Sequence, residues 1–422
     1  MLDFLFEYIM KNKQLKSNLF PLQGLGVLLL FLVILADISG APKPKKIGSI
    51  PFEMVGTYVV IKGKINDSSP LNLILDSGIR NTIITELLPG DRITLNYSDV
   101  KDLMGLGGGN RLEAYSSNFN TLTFGKLKLQ SKTVLVLKED VFNLSKHTGT
   151  KINGLIGVDF FQDCIIEINY SQRRVSFYEN KSFVEPQGYS KVPLTIEVQK
   201  MFINLTVSES DSAKKNVKML IDTGAELNAW FQTHKKNSVH GPAVGVRATI
   251  GQGLNGEIVG KIGRMPQICF ASYCIKNAIV SYPDSASIAE IVEKSDRDGT
   301  VGSQLLSRFN LFIDYSQKQF YFKPNGNFNN SFSYNIAGIE LTQILPFVPQ
   351  TEVWKVWENS PAAQVGILEG DQIIEVNGQK AYQLNINDLK KIFETPSKSP
   401  LELTVLRKEK EVSVRIDMKS KI

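Results

Sequence analysis

Two short stretches constrain this chain more than anything else in it: Leu73-Ile74-Leu75-Asp76-Ser77-Gly78 and Met219-Leu220-Ile221-Asp222-Thr223-Gly224. Each is an apolar run that ends in Asp, a small hydroxyl residue and Gly. Such runs read as buried strands, and the tripeptide reads as a turn at the strand's end. A carboxylate at the end of a buried strand is costly unless something needs it there. One copy would be an ordinary loop tripeptide. Two copies carry weight because their surroundings repeat as well. Asp76 and Asp222 are 146 residues apart, and so are Phe124 and Phe270. Gly105-Leu106-Gly107-Gly108-Gly109 begins 29 residues after Asp76, and Gly251-Gln252-Gly253 begins 29 after Asp222. Gly154-Leu155-Ile156-Gly157 and Ile168-Asn169-Tyr170-Ser171-Gln172 return as Gly299-Thr300-Val301-Gly302 and Ile313-Asp314-Tyr315-Ser316-Gln317, at an offset of 145. A register held to one residue over about a hundred positions is an internal duplication, and so long a period means two lobes rather than a repeat array.

This motif set resembles the pepsin/retropepsin class of aspartic proteases over roughly residues 50 to 325, and it looks closest to bacterial exported forms with short, retropepsin-sized lobes. The resemblance implies a mainly β chain with two pseudo-twofold lobes, 48–185 and 193–325. It implies Asp76 and Asp222 as catalytic residues acting on a polypeptide, with no cofactor and no metal. Ser77 and Thr223 would brace the two loops, and Gly78 and Gly224 would let backbone N–H groups approach the carboxylates. Gly105, Gly107, Gly108, Gly109, Gly251 and Gly253 are candidates for substrate-covering flaps. Two like charges about 3 Å apart repel by roughly 5 kcal/mol at an effective dielectric near 20. Such a pair shares one proton over a wide pH range, and aspartic protease dyads are the standard illustration of the effect. Pepsin carries a hydroxyl residue after each Gly, where this chain has Ile79 and Ala225; Ala225 fits the retropepsin pattern and Ile79 fits neither. Fewer donors to the carboxylates imply higher dyad pKa values and weakly acidic to neutral activity.

A third unit, 336–420, follows. Ser360-Pro361-Ala362-Ala363, Gly370-Asp371 and Val376-Asn377-Gly378 resemble the PDZ family, with residues 387–393 as its helix and 401–416 as closing strands. PDZ domains take a peptide as an added strand, so a protein C-terminus is an expected partner. The family's Gly-Leu-Gly-Phe carboxylate loop is replaced by Leu345, Pro346, Phe347 and Val348. Pro349 just after them lacks an N–H and suits a pairing strand poorly. Scaffolding or surface docking is the other reading of this domain.

Of the 422 residues 42% are hydrophobic and 21% charged, with a net charge of +6, which is ordinary for a globular chain. The basic residues are scattered, which argues against a nucleic-acid partner. Three His and three Cys without zinc spacing leave little for a metal site, and no Ser sits in a nucleophile elbow. Residues 23–36 form a 14-residue apolar run preceded by Lys11, Lys13 and Lys16 and followed by Ser39-Gly40-Ala41. That is the pattern of a signal peptide over residues 1–41, with Met10 as an alternative start. The expectation is an exported monomer, periplasmic or in the cell envelope, or held in the inner membrane if the segment stays uncleaved. Cys269 and Cys274 face each other across an expected hairpin, within disulfide range. Cys164 is left as a buried thiol, and three reduced cysteines are the alternative. The competing class for the whole chain is a non-catalytic peptide-binding or regulatory protein on degenerate protease lobes.

Overall fold

Apolar residues alternate along most of the chain's strands, and the structure closes them into barrels. The computed structural model describes residues 45–103, 105, 112–210, 213–233, 239–253, 256–292, 295–345 and 348–422. Residues 46–181 and 186–422 form one compact body. The apolar segment expected to be a signal peptide lies outside the described residues. Among the described residues no helix is long and apolar enough to cross a membrane.

The first lobe is a closed barrel of six strands. Tyr58–Ile65 pairs antiparallel with Leu71–Leu75, which runs parallel to Gly154–Ile156. Gly154–Ile156 is antiparallel to Thr82–Ile84, which is parallel to Leu127–Leu137. Leu127–Leu137 forms a hairpin with Leu112–Phe124, and Leu112–Phe124 returns to Tyr58–Ile65. The second lobe repeats this order and every polarity. Its strands run Lys200–Ser208, Lys214–Asp222, Gly299–Gly302, Ala229–Phe231, Tyr273–Pro283 and Gly256–Phe270, and the last closes on the first. Closure leaves no free edge, so each barrel satisfies its own backbone groups around an apolar interior. Leu73, Leu75, Val134 and Ile156 fill the first barrel, and Val217, Met219, Ile221 and Val280 fill the second.

The lobes are joined by an antiparallel sheet drawn from both. Lys46–Val55, Arg174–Tyr178 and Ile165–Asn169 come from one lobe, and Phe309–Asp314 and Gln319–Pro324 from the other. At the junction Leu311 pairs with Ile168, Phe312 with Glu167 and Ile313 with Ile166. Because duplicated positions here differ by 145, this register is its own image under exchange of the lobes. The pseudo-twofold axis passes through the Glu167–Phe312 pair. Residues 186–192 read as a linker in the sequence, yet Ser190–Pro193 adds to this sheet against Gln319–Pro324. A four-residue strand ending in proline at a sheet edge leaves almost no periodic trace.

The C-terminal sheet runs Ile339–Gln343, Thr351–Val356, Gln372–Val376, Leu401–Arg407, Lys410–Ile416, with Gln379–Lys380 beside the third strand. Asn385 caps the helix Ile386–Glu394, accepting from Asp388 N–H while Asp388 reaches back. Asp371, buried, is held by Arg407 through two hydrogen bonds of 2.6 Å. This domain packs on both lobes. Ala248, Ile262 and Ile279 of the second lobe share an apolar cluster with Tyr334, Ile336 and Trp357, and Lys355 forms an ion pair with Glu257.

Candidate active site

The two Asp-bearing strands end side by side. The hydroxyls that follow lock the loops together reciprocally. Ser77 N–H donates to Thr223 Oγ1 at 3.0 Å, and Thr223 N–H donates to Ser77 Oγ at 3.0 Å. Each hydroxyl then donates across the interface: Ser77 Oγ to the Ile221 carbonyl at 2.8 Å and Thr223 Oγ1 to the Leu75 carbonyl at 2.6 Å. Both side chains are fully buried. Four buried backbone groups of two different lobes are thereby satisfied by two hydroxyls, which fixes the loops relative to each other.

That brace brings the carboxyl groups within hydrogen-bonding reach of one another. Asp76 Oδ1 accepts from Gly78 N–H at 2.7 Å, and Asp222 Oδ1 accepts from Gly224 N–H at 3.1 Å. The glycines are required sterically. A Cβ on Gly78 would lie 2.4 Å from Asp222 Oδ2, and one on Gly224 would lie 2.2 Å from Asp76 Cγ. Burial raises both carboxyls above their ordinary value. The charge of Asp222 lifts Asp76 further, whereas the Lys200 ammonium and the Arg297 guanidinium hold Asp222 down against its burial. The symmetric backbone therefore carries an asymmetric pair: Asp76 favours the proton and Asp222 the charge.

The pair opens into a cleft of about 970 Å³ between the lobes, which the PDZ domain also lines. Its volume is at the upper end of ordinary ligand sites. Each lobe sends a hairpin to this cleft. In the first, Tyr97–Leu103 pairs with Leu112–Phe124, with Gly105 at the cleft. Gly107, Gly108 and Gly109 lie outside the described residues. In the second, Gly245–Gly253 pairs with Gly256–Phe270, and both Gly251 and Gly253 reach the cleft.

Sequence reasoning missed Tyr58, Lys200 and Arg297, all on the cleft wall. Tyr58 and Lys200 occupy matching places, each opening the first barrel strand and pairing across a tight turn with Val55 and Glu197. Their separation is not 146, so the duplication in the sequence did not align them. Arg297 packs on Trp230, its guanidinium carbon 5.0 Å from the ring centroid, and burial pushes it down to about 10.

The other expected sites fall elsewhere. Cys269 and Cys274 are joined by a disulfide across their hairpin, and Cys164 is free and buried, its thiol pushed up to about 12. Leu345 and Val348 lie in the connection that follows the strand Ile339–Gln343, while Pro346 and Phe347 lie outside the described residues. Because that strand is the open edge of the sheet, the backbone that would meet a chain terminus is the stretch leading into it, residues 336–339, and not the expected loop 345–348.

Residues 61–160 match the family model for aspartyl protease, and residues 353–407 match that for the PDZ domain. No curated protein matches the chain. With the closed barrels and paired Asp loops above, these matches mean that the chain carries a retropepsin-like aspartyl protease domain and a C-terminal PDZ domain.

Proposed function

We propose that the protein is an exported aspartic endopeptidase that hydrolyses peptide bonds with Asp76 and Asp222. The observation that carries this reading is the reciprocal Ser77–Thr223 brace, which presents two buried carboxyls, within reach of each other, to one cleft; a pair so close holds one proton between them. In the resting pair Asp76 holds that proton, and Asp222 is ionised beside Lys200 and Arg297. Asp222 takes a proton from a water as the water oxygen attacks the scissile carbonyl carbon. Asp76 gives its proton to the carbonyl oxygen, leaving a neutral gem-diol. Collapse returns the proton from the diol hydroxyl to Asp76, while Asp222 passes its proton to the leaving nitrogen. The C–N bond breaks, and the pair is reset without a covalent intermediate.

Two further features belong to the proposal. Ile79 and Ala225 offer the carboxylates no hydroxyl, so activity lies in the weakly acidic to neutral range; an optimum below pH 3 would overturn that. Export rests on the lysine-flanked apolar run ahead of the small residues Ser39, Gly40 and Ala41 and on the Cys269–Cys274 disulfide, which suits an oxidising compartment. Finding the protein in the cytoplasmic fraction of its cells would remove that part.

The deciding experiment is cleavage of a peptide library from pH 3 to 8 by the purified protein, beside Asp76→Asn and Asp222→Asn. Cutting by the wild type alone supports the dyad. Folded but inert protein in all three cases favours the peptide-binding reading.

A further inference from the structure

A PDZ domain implies peptide binding, and it takes its peptide at the open edge of a terminal strand beside a helix. In this chain the terminal strand is Ile339–Gln343, and the helix Ile386–Glu394 lies along it. That space is already filled. The short helix Leu144–Thr148 of the first lobe packs against both the strand and the helix. His147 Nδ1 lies 3.4 Å from the Leu341 carbonyl oxygen on the strand, and the His147 ring meets Trp354 edge-on at 5.3 Å between centroids. From the groove helix, Lys390 Nζ donates to the His147 carbonyl at 3.1 Å. Gly149 lies so close that a Cβ there would stand 3.0 Å from Ile386 Cγ2 and 3.2 Å from Gln343 Nε2.

The backbone amides leading into the strand are engaged within the domain as well. Ile336 and Ala337 N–H both donate to the Phe393 carbonyl, at 2.9 and 3.2 Å. Gly338 and Ile339 N–H both donate to Asn335 Oδ1, at 2.9 and 3.3 Å. Capture of a chain terminus needs several N–H groups free to converge on its carboxylate. At this end of the groove four consecutive ones have other acceptors.

We infer that the peptide groove of the PDZ domain is a docking surface for the first lobe's own residues 143–150, and that it holds a wall of the cleft in place rather than reading the termini of other proteins. The wall follows from the same residues. Phe142, Leu144 and His147 line the cleft that contains Asp76 and Asp222, so the segment in the groove is also a side of the candidate active site. Being tethered, the segment competes at a millimolar effective concentration, and an external peptide of equal intrinsic affinity binds weakly at micromolar concentration. The proposal rests on packing alone and does not depend on the proposed cleavage.

The test uses the full protein carrying Asp76→Asn, so that no probe is cut. Two fluorescent probes are titrated: a synthetic peptide with the sequence of residues 141–151, and a pool of random decapeptides with free C-termini. Two variants open the groove from opposite sides. Gly149→Val drives a side chain into Ile386 and Gln343, and Trp354→Ala with Lys390→Ala removes the two PDZ side-chain contacts to His147, leaving only that to the Leu341 carbonyl, without touching the first lobe. Amide hydrogen exchange of residues 141–150 is followed in each protein. Both variants should bind the 141–151 peptide at least about tenfold more tightly than the parent, with faster exchange in that segment and unchanged exchange in the barrel strands. A parent protein that binds the free-carboxyl pool at micromolar concentration, or the 141–151 peptide as tightly as the variants do, overturns the inference. So does unchanged exchange at residues 141–150 in both variants.

Discussion

Beside Asp76 the first lobe places Tyr58, a phenol that burial and the surrounding carboxylates keep neutral; at the matching place beside Asp222 the second lobe places Lys200, a cation. The loops themselves are near copies, with the same hydrogen bonds exchanged in both directions at distances within a few tenths of an ångström. The duplicated part is thus the part that sets position, and the divergent part is the part that sets charge. A symmetric dyad has no reason to keep its proton on one side. This one has two cations on the Asp222 side to decide it.

The largest effect that would break this comparison is at the carboxyls. Asp76→Asn and Asp222→Asn should each lower kcat/KM at least about a thousandfold, the scale of removing an acid–base pair. Their stabilities carry a sign that can be worked out. Burial and the partner charge raise the Asp76 carboxyl well above 3.8. A carboxyl so raised lends stability below its unfolded value and loses it as pH climbs through its folded value. The pair therefore weakens the fold at neutral pH, and Asp76→Asn should melt at or above the wild type at pH 7, with the gap closing toward pH 4. Thermal melts at several pH values read this directly, and a lower melting point at pH 7 would count against the buried shared-proton pair.

Next in size are the hydroxyls. Thr223→Ala leaves the Ser77 N–H and the Leu75 carbonyl without their partner, and Ser77→Ala leaves the Thr223 N–H and the Ile221 carbonyl without theirs. Each should cost about 3 kcal/mol in denaturant unfolding. Costs that differ by more than about 1 kcal/mol would show that the brace is less symmetric than its geometry. Smaller again is the disulfide. Its hairpin has a counterpart without cysteines in the first lobe, where Thr123 pairs with Lys128 as Cys269 pairs with Cys274. Replacing both cysteines by Ala should cost about 2 kcal/mol.

The smallest effect sharpens the comparison most. Lys200→Met removes a charge that favours ionised Asp222, so the acid limb of the pH–rate profile should move to higher pH. Tyr58→Phe, which removes no charge, should leave that limb in place. Equal shifts in both variants would mean that the asymmetry does not come from these two side chains.

The loops were legible because an apolar run ending in Asp-Ser/Thr-Gly returns 146 residues later with its surroundings, and the PDZ helix because the stretch from Ser360 onward resembles that family. The sequence reading put that helix at 387–393, and the capping pair of Asn385 and Asp388 that starts it at Ile386 went unread. Lys200 was not legible, because a lysine acquires meaning only from the burial around it and because the turn before it falls out of the 146-residue register. The strand Ser190–Pro193 was lost to its shortness. The seating of Leu144–Thr148 in the PDZ groove depends on two surfaces that meet across some two hundred positions, and no window of sequence contains both.

The self-matching register about Glu167 and Phe312 has a consequence for how such a site can change. In an assembly of two identical chains every substitution appears twice, so a cation placed beside one carboxyl is placed beside both. Joining the halves in one polypeptide keeps the paired scaffold and lets each side vary alone. Lys200 opposite Tyr58 is a difference that only a fused chain can hold.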